Sequence, residues 1–390
     1  MNFELSEDQL AFQQLARDFA AKSLAPHAAW WDAEGIFPVE VLREAGSLGF
    51  CGLYSPEQYG GLGLSRLDAT VVFEELAAAD PSTAAFLTIH NMATWMLCGW
   101  GQPELAGKWG PKLTSGELLA SYCLTEPDAG SDAANLKASA RLEGDGADAV
   151  YVLKGSKAFI SGAGSTDMLV VMARTGAPGA KGITAFAVPA DTPGIRYGKK
   201  EDKMGWNSQP TRAIFFDDVR VPVGNRLGEE GEGFRIAMKG LDGGRINIAT
   251  CSVGAAQGAL NAAQRYLGER RQFGKSLAEF QALQFRLADM ATELVAARQM
   301  VRLAACKLDA AAPDATTYCA MAKRFATDAG FTVCNEALQL HGGYGYLRDY
   351  PLERLVRDAR VHQILEGTNE IMRVIIARRM LEEGAPERIR

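Results

Sequence analysis

The stretch VYVLKGSKAFISGAGSTDMLVVMARTGAPGAKGITAFAV occupies residues 150–188 and decides the fold of the central part of the chain. It contains short β-branched or aromatic runs that are separated by Gly- and Pro-containing turn signals. No helical pattern lies between these runs, so they do not indicate the parallel, helix-connected sheet of nucleotide-binding folds. They predict a small all-β unit, either a sandwich or barrel-like. We expect its strands at residues 150–153, 158–160, 168–172, 183–188 and 213–216.

Helical periodicity dominates the sequence before this unit. Ser6 precedes a run in which Leu10, Phe12, Leu15 and Phe19 recur at helical spacing, and this predicts a capped amphipathic helix. Residues 39–48, 69–79 and 81–97 also suit helices.

Helical periodicity returns after the β unit and continues to the end of the chain. Leu283, Leu287, Met290, Leu294 and Val301 lie on one helical face, and the long segments without internal proline favour an antiparallel bundle. We therefore expect an α+β chain of three domains. They are an α-helical domain over residues 1–119, a central β domain over 120–230 and a C-terminal four-helix bundle over 231–390.

The composition excludes several classes of protein. The 390 residues are 47% hydrophobic, which excludes a disordered, collagen-like or disulfide-scaffold chain. The formal charge of −6 argues against nucleic acid as the main partner. The seven cysteines form no C-x-x-C pair and the four histidines no i,i+4 pair, so we expect no metal site and a reducing compartment. The N-terminal run is acidic and amphipathic, and no apolar run reaches the roughly 18 residues of a membrane span, which predicts a cytoplasmic protein without a membrane partner.

The segment GERRQFGKS at 268–276 is similar to a phosphate-binding loop. It has five residues between its glycines where such a loop has four, and the run before it is helical rather than a strand. We therefore reject a nucleotide hydrolase.

Three segments carry candidate chemistry: YCLTEPDAGSD at 122–132, QLHGGYGY at 339–346 and ILEGTNE at 364–370. Each also fits a simpler interpretation. Residues 122–132 could be a connecting loop, residues 339–346 could be the end of a helix at glycine, and Glu366 could be a solvated surface residue. Glu366, however, follows two apolar residues. Desolvation by such neighbours raises the pKa of a carboxyl group and makes it a better general base.

The order of these segments along the chain resembles the acyl-CoA dehydrogenase family over essentially the full length. KAFISGAG at 157–164, RRQFGK at 270–275, LQLHGGYGY at 338–346 and QILEGTNEIMR at 363–373 carry the resemblance together with residues 122–132. Residues 205–212 and 242–248 are most similar to the members that act on isobutyryl-CoA, a short branched substrate of valine breakdown.

The resemblance implies FAD-dependent α,β-dehydrogenation of an acyl-CoA thioester, with Glu366 as the base that removes the α-proton. A backbone N–H beside Glu366 would help to hold the thioester oxygen. Some relatives place the base on the helix near Arg245 instead, but the matching residue here is Gly244, which cannot serve. Asp242 lies nearby and does not match that position.

The resemblance also implies the contacts of cofactor and substrate. The expected FAD contacts are Tyr122, Leu124, Thr125, Gly130, Ser131, Phe159, Ile160, Ser161, Arg270, Gln281, Gln339, Leu340, His341, Gly342, Gly343, Thr368, Asn369 and Glu370. Those for the substrate are Ser131, Asp242, Arg245, Leu365 and Gly367. The family often has Trp at the position of Phe159, and its short- and medium-chain members commonly have Tyr at that of Leu365.

The resemblance further implies a homotetramer, built as a dimer of dimers, and electron-transferring flavoprotein as the electron acceptor. Arg270, Gln281 and residues 339–343 would then face the FAD of a neighbouring subunit. An oxidase of the same fold and a dehydrogenase for butyryl- or 2-methylbutyryl-CoA stay open as alternatives. A non-enzymatic scaffold is less favoured because Glu366 and the flavin segments are intact.

Overall fold

A group of helices forms the first part of the chain. The computed structural model describes residues 4–382. These helices are α1 (Glu7–Phe19), α2 (Ala28–Glu34), α3 (Val39–Ser47), α4 (Arg66–Ala79), α5 (Pro81–Trp100) and α6 (Pro103–Thr114). Ser6 caps α1 as predicted, and its reciprocal capping-box partner is Gln9. The helices predicted at 39–48, 69–79 and 81–97 are confirmed as α3, α4 and α5.

A mixed sheet follows, as the β-rich stretch predicted. Its strands are β1 (Ala120–Cys123), β2 (Ser139–Glu143), β3 (Val150–Ser161), β4 (Met168–Arg174), β5 (Ile183–Pro189), β6 (Ile195–Tyr197), β7 (Thr211–Pro222) and β8 (Arg226–Leu227). Their order is β6-β7-β3-β2-β4-β5-β8, and β1 pairs in parallel with β4. A single residue pair, Ser139 with Arg174, joins β2 to β4. This pair divides the sheet into two halves, β6-β7-β3-β2 and β4-β5-β8. Side chains of both halves form one apolar core, in which the rings of Tyr151 and Phe186 lie 4.9 Å apart.

The two strands predicted at 150–153 and 158–160 are one strand, β3, so that prediction was wrong. Register shifts between Leu153 and Gly155 and between Lys157 and Ile160 interrupt its pairing with β7 without ending it. Gly155 and Phe159 lie at these irregularities with φ values of 135° and 57°. Such bulges bend a strand and redirect its side chains, which explains the break in the apolar pattern.

The C-terminal part is helical, as predicted. It contains α7 (Gly233–Glu269), the hairpin strands β9 (Arg271–Gln272) and β10 (Lys275–Ser276), and then α8 (Gln281–Asp309), α9 (Ala315–Leu340), α10 (Leu352–Arg360) and α11 (Asn369–Glu382). Helix α9 packs against α7, α8, α10 and α11. On α8, Met290, Leu294 and Val301 are buried in this core, whereas Leu283 and Leu287 are half-buried at its edge.

Helix α7 joins the units because it packs against α4 and α5 as well as against α8 and α9. Its residues Ile248 and Cys251 belong to the core of the first helical unit, and Ile236 and Ala237 belong to the core shared with the sheet. The architecture is helical, β-rich and helical in chain order. The domain limits at residues 119 and 230 stay predictions.

Candidate active site

Glu366 lies in the short loop between α10 and α11, in an unusual backbone conformation. Its φ is 57°, and that of Gly367 is 89°, so two successive residues lie in the left-handed region. A residue with a Cβ is strained there and persists only where its surroundings hold it. Thr368 then caps α11, because its hydroxyl accepts a hydrogen bond of 3.3 Å from Ile371 N.

The Glu366 carboxylate is desolvated although the residue as a whole is only half-buried. Its Oε2 is shielded from solvent and has no hydrogen-bond partner. The carboxylate lies against the backbone of α7 at Gly244, where a Cβ would come within 2.8 Å of Glu366 Cδ. Burial raises the pKa of Glu366 to about 7, and Arg245 and Lys323 partly offset that rise. The group is therefore suited to accept a proton near neutral pH.

Two predicted site residues lie close enough to Glu366 to interact with it electrostatically. The Tyr122 hydroxyl is buried without a partner, and burial, with Glu366 next, raises its pKa well above the usual value. Arg245 is buried and pairs with Asp242 at 2.7 Å. Asp242 also accepts a hydrogen bond of 2.7 Å from the Thr316 hydroxyl, and burial raises its pKa. Asp242 thus orients Arg245 toward the site.

The two segments predicted to flank the flavin lie side by side. Ala158 N donates to Thr125 O at 2.8 Å, and the Ser121 hydroxyl donates to Ser161 O at 2.6 Å. The left-handed backbone at Phe159 turns its ring outward, and the residue is 71% exposed. The next residue, Ile160, is buried. Gly130 and Ser131 lie on an exposed turn a few residues after Thr125.

A buried ion pair holds the first of these segments. Lys157 Nζ donates to Glu126 Oε1 at 2.8 Å and to Leu124 O at 3.0 Å. The Glu126 carboxylate also accepts from the backbone N–H groups of Lys137 and Ala138. Charge-assisted bonds of this kind lock the turn that follows Leu124.

These features fit a flat aromatic cofactor such as the isoalloxazine ring of FAD. The exposed Phe159 ring offers a stacking surface, and the unpaired Tyr122 hydroxyl offers a donor at a buried position. No Cβ contact lies within 4 Å of Gly130, so its backbone is open to close approach.

A second group of predicted residues forms an open cleft of about 420 Å³ at the far end of α7. Its lining includes Arg270 and Gln339, Leu340, His341, Gly342 and Gly343. The Arg270 guanidinium lies 5.4 Å from the centre of the Tyr344 ring, and His341 is buried with its ring stacked on Tyr266. Gln281 is exposed at the start of α8 and is not among the lining residues.

The residues next to Glu366 differ in whether they are exposed or bound to the rest of the protein. Leu365 packs against the core of the first helical unit, and Glu370 is exposed. Asn369 is buried, and its amide bonds to Lys323, Thr327 and Asp328 of α9. This amide therefore holds the loop to α9, while its contact with FAD stays a prediction.

Sequence reasoning missed two cations near this site. Lys323 is fully buried and contacts the Glu366 loop. The sequence did contain an indication of Lys323, because this lysine falls between the apolar residues Cys319 and Ala326 on the buried face of α9. Arg66 is buried too, with its guanidinium 3.5 Å from the Tyr54 ring centre and against Gly243. No pattern in the sequence pointed to Arg66.

The comparisons with known proteins agree with this arrangement. The N-terminal, middle and C-terminal domain models of acyl-CoA dehydrogenases match residues 6–117, 121–219 and 231–381. The chain belongs to the acyl-CoA dehydrogenase family. The mitochondrial isobutyryl-CoA dehydrogenases of Bos taurus and Dictyostelium discoideum are 55% and 54% identical to it, over 97% of this chain and 90% of each relative. The predicted family and fold class are thereby confirmed.

Solved structures of acyl-CoA dehydrogenase relatives superpose closely on this chain. Butyryl-CoA dehydrogenase from Megasphaera elsdenii has a TM-score of 0.94 at 42% identity, and covers 98% of this chain and 100% of its own. A chain from a structural study of the electron transferring flavoprotein of Acidaminococcus fermentans has a TM-score of 0.94 at 43% identity with the same coverage. PigA with FAD and proline has a TM-score of 0.93 at 31% identity, and covers 97% of this chain and 99% of its own.

The described residues contain neither a membrane-spanning helix nor a cluster of metal-ligating side chains. No helix within residues 4–382 has the length and apolar character needed to cross a membrane. In the same range, no three His, Cys, Asp or Glu side chains are grouped as metal ligands.

Proposed function

We propose that this protein catalyses the FAD-dependent α,β-dehydrogenation of a short branched acyl-CoA, isobutyryl-CoA above all, to the 2-enoyl-CoA. The observation that carries the proposal is the Glu366 carboxylate, desolvated against Gly244 with its pKa raised to about 7. A carboxylate of ordinary pKa would be a much weaker acceptor for a proton next to a thioester.

Each residue of the site has a distinct role in this reaction. Glu366 removes the α-proton through its unpaired Oε2. Bound FAD supplies the acceptor for the β-hydride. The N–H groups of the Glu366 loop stabilise the negative charge that develops on the thioester oxygen. Arg245, oriented by Asp242, keeps positive charge beside the reacting atoms.

FAD is the cofactor that the site residues support. Leu124, Thr125, Phe159, Ile160 and Ser161 would hold the ring, because their two segments are hydrogen-bonded side by side. Gly130 and Ser131 on the neighbouring turn would approach the ring and the pantetheine arm. The PigA relative, whose structure contains FAD and proline, supports the same cofactor here.

A second subunit completes the FAD site in this proposal. Gly244 and Tyr266 are both on α7 and are separated by 22 residues, or about 33 Å of helix. Residues of the Arg270 cleft therefore cannot reach the ring held near Glu366 of the same chain. We propose that this cleft, with Gln281 nearby, receives the neighbour's FAD in a homotetramer, which light scattering of the purified holoenzyme would test.

Substrate, acceptor and location complete the proposal. The two isobutyryl-CoA dehydrogenases at 54–55% identity support a role in valine breakdown, and Leu365 in place of Tyr leaves room for a branched α-carbon. Electron-transferring flavoprotein is the proposed acceptor. A cytoplasmic location stays a prediction.

The test is anaerobic reduction of the bound flavin by isobutyryl-, butyryl- and 2-methylbutyryl-CoA. We expect the fastest bleaching of the flavin absorbance with isobutyryl-CoA. A preference for long straight chains would refute the substrate proposal, and a purified protein without flavin absorbance would refute the enzymatic one. Glu366→Gln should keep FAD and lose flavin reduction by about 10²-fold or more.

The electron acceptor used in turnover distinguishes an oxidase of the same fold from a dehydrogenase. Turnover that consumes oxygen without electron-transferring flavoprotein would favour an oxidase. Turnover that requires the flavoprotein would support a dehydrogenase.

A further inference from the structure

Lys323 is a buried cation that contacts the Glu366 loop. It lies on α9 with no exposed side-chain surface, at a core position between Cys319 and Ala326. Burial lowers the pKa of Lys323 to about 8, and the nearby Glu366 carboxylate partly offsets that change. An ammonium group is rarely buried in this way unless it has hydrogen-bond partners.

The partners of Lys323 are in the catalytic loop. Its Nζ donates to Gly367 O at 2.7 Å and to Asn369 Oδ1 at 2.8 Å. Asn369 in turn donates to Thr327 Oγ1 at 2.9 Å and to Asp328 Oδ1 at 2.7 Å. These hydrogen bonds join the loop to helix α9.

The loop needs such an anchor because its backbone is strained. Glu366 and Gly367 are both left-handed, and the hydrogen bond from Leu365 N to Val361 O at 3.1 Å holds only the part before them. Glu366 Oε2 has no hydrogen-bond partner. The backbone anchors therefore determine where the carboxylate lies.

We propose that Lys323 is the positioning residue for Glu366: by binding the Gly367 carbonyl, its ammonium group directs the Glu366 carboxylate onto Gly244. The proposal rests on the proposed function, since the position of Glu366 matters only if it is the base. It assigns Lys323 no contact with substrate.

Lys323 has a second, separable effect through its charge. The titratable and charged groups that face Glu366 are Arg245 and Cys251 from α7, Lys323 from α9, Tyr122 at β1 and Tyr54 before α4. Those that face Lys323 are Glu366, Arg245, Asp328, Glu370 and His362. Lys323 and Arg245 both lower the pKa of Glu366. Without the ammonium group only Arg245 does so, and the pKa of Glu366 rises.

The experiment compares Lys323→Met, which removes donor and charge, with Lys323→Gln, which keeps a donor without the charge. Lys307→Met is the matched control, because Lys307 on α8 pairs at 2.6 Å with Asp314, just before α9, and not with the Glu366 loop. The readouts on each FAD-loaded holoenzyme are flavin content, melting temperature and the limiting rate of flavin reduction by isobutyryl-CoA across pH. The substrate concentration for half-maximal rate is measured in the same series.

Displacement of a reacting group by about 1 Å costs about 10²-fold in rate. For Lys323→Met we expect a loss of that size with little change in the half-saturating concentration, and a pH midpoint above that of the wild type. Lys323→Gln should recover part of the rate and keep the raised midpoint. Lys307→Met should match the wild type in flavin content, in the rate of flavin reduction and in its pH midpoint.

An unchanged rate and midpoint in both Lys323 variants would overturn the proposal, as would an equal loss in Lys307→Met. If Lys323→Met does not retain FAD, Lys323→Gln decides by the same criteria. A wild-type holoenzyme that no acyl-CoA reduces would refute the proposed function instead, so the two failures are distinguishable.

Discussion

The Glu366 carboxylate lies against the backbone of Gly244, at the place where a side chain of residue 244 would stand. Gly244 is in the interior of α7, where glycine weakens a helix. Glycine at position 244 therefore has a structural reason: the absence of a side chain leaves the space that the Glu366 carboxylate occupies. Relatives that carry their base on this helix would fill the same space with it, so a base at 366 and a side chain at 244 exclude each other.

Gly244→Ala should reduce activity without unfolding the protein. The new Cβ would displace the Glu366 carboxylate, and we expect flavin reduction by isobutyryl-CoA to slow by about 10²-fold. Alanine stabilises a helix by about 1 kcal/mol relative to glycine, so the melting temperature should not fall through a loss of helix propensity. Gly268→Ala on the same helix is the control, because nothing lies within 4 Å of its Cβ position. Equal rates of flavin reduction in Gly244→Ala and Gly268→Ala would contradict the close contact between residue 244 and the Glu366 carboxylate.

The pKa of Glu366 predicts opposite effects of pH on activity and stability. The folded-state pKa of about 7 is above the ordinary value of 4.5, so the folded protein binds this proton more tightly than the unfolded chain does. Ionised Glu366 therefore destabilises the fold above pH 7, and this effect disappears as the pH falls below 4.5. The rate of flavin reduction should instead rise with pH through about 7, because the base must be ionised.

Glu366→Gln isolates the stability effect. Its melting temperature should exceed that of the wild type at pH 8, and the difference should shrink toward pH 5. Glu370→Gln, which changes an exposed carboxylate in the first turn of α11, should follow the wild type at both pH values. A difference for Glu366→Gln that grows as the pH falls would show that the sign is wrong.

Removal of the buried Lys157 should destabilise the fold strongly. Lys157 and Glu126 are buried and 2.8 Å apart, so Lys157→Met leaves an uncompensated buried carboxylate. Loss of one partner of such a pair costs about 3–5 kcal/mol in the free energy of unfolding, measured by urea denaturation. Lys137→Met is the control, since Lys137 is 70% exposed and pairs with Asp128 at the surface. Its cost should be below about 1 kcal/mol. Similar costs for both would show that burial of the pair is unimportant.

Leu365→Tyr should change substrate preference. Leu365 packs against the core of the first helical unit beside the base, and a ring there would narrow the space for a branched acyl group. We expect the ratio of kcat/KM for isobutyryl-CoA over butyryl-CoA to fall about 10-fold, which is typical when one methyl group is misfitted. The neighbouring Ile364 is half exposed, and Ile364→Tyr should leave the ratio unchanged. A constant ratio in both variants would exclude Leu365 from specificity.

Local sequence patterns predicted helices well where the apolar residues of a segment recur on one face of the helix. The capped start of α1 and the limits of α3 and α5 follow from spacing and caps within a few residues. The extent of strand β3 was not predicted, because bulges at Gly155 and Phe159 interrupt its apolar alternation. The strand continues through them because it pairs with β7, which begins 50 residues after β3 ends. Pairing between distant segments leaves no local signal.

The sequence by itself determined the three-part order of elements, the family and the identity of Glu366 as the candidate base, because these depend on patterns within short segments. Only the tertiary structure decided what surrounds that base. Gly244, Arg245 and Lys323 come from two helices that are distant in sequence, and their packing desolvates the carboxylate and orients it. A pKa depends on burial and on charges a few ångströms away, and those distances exist only in the folded chain.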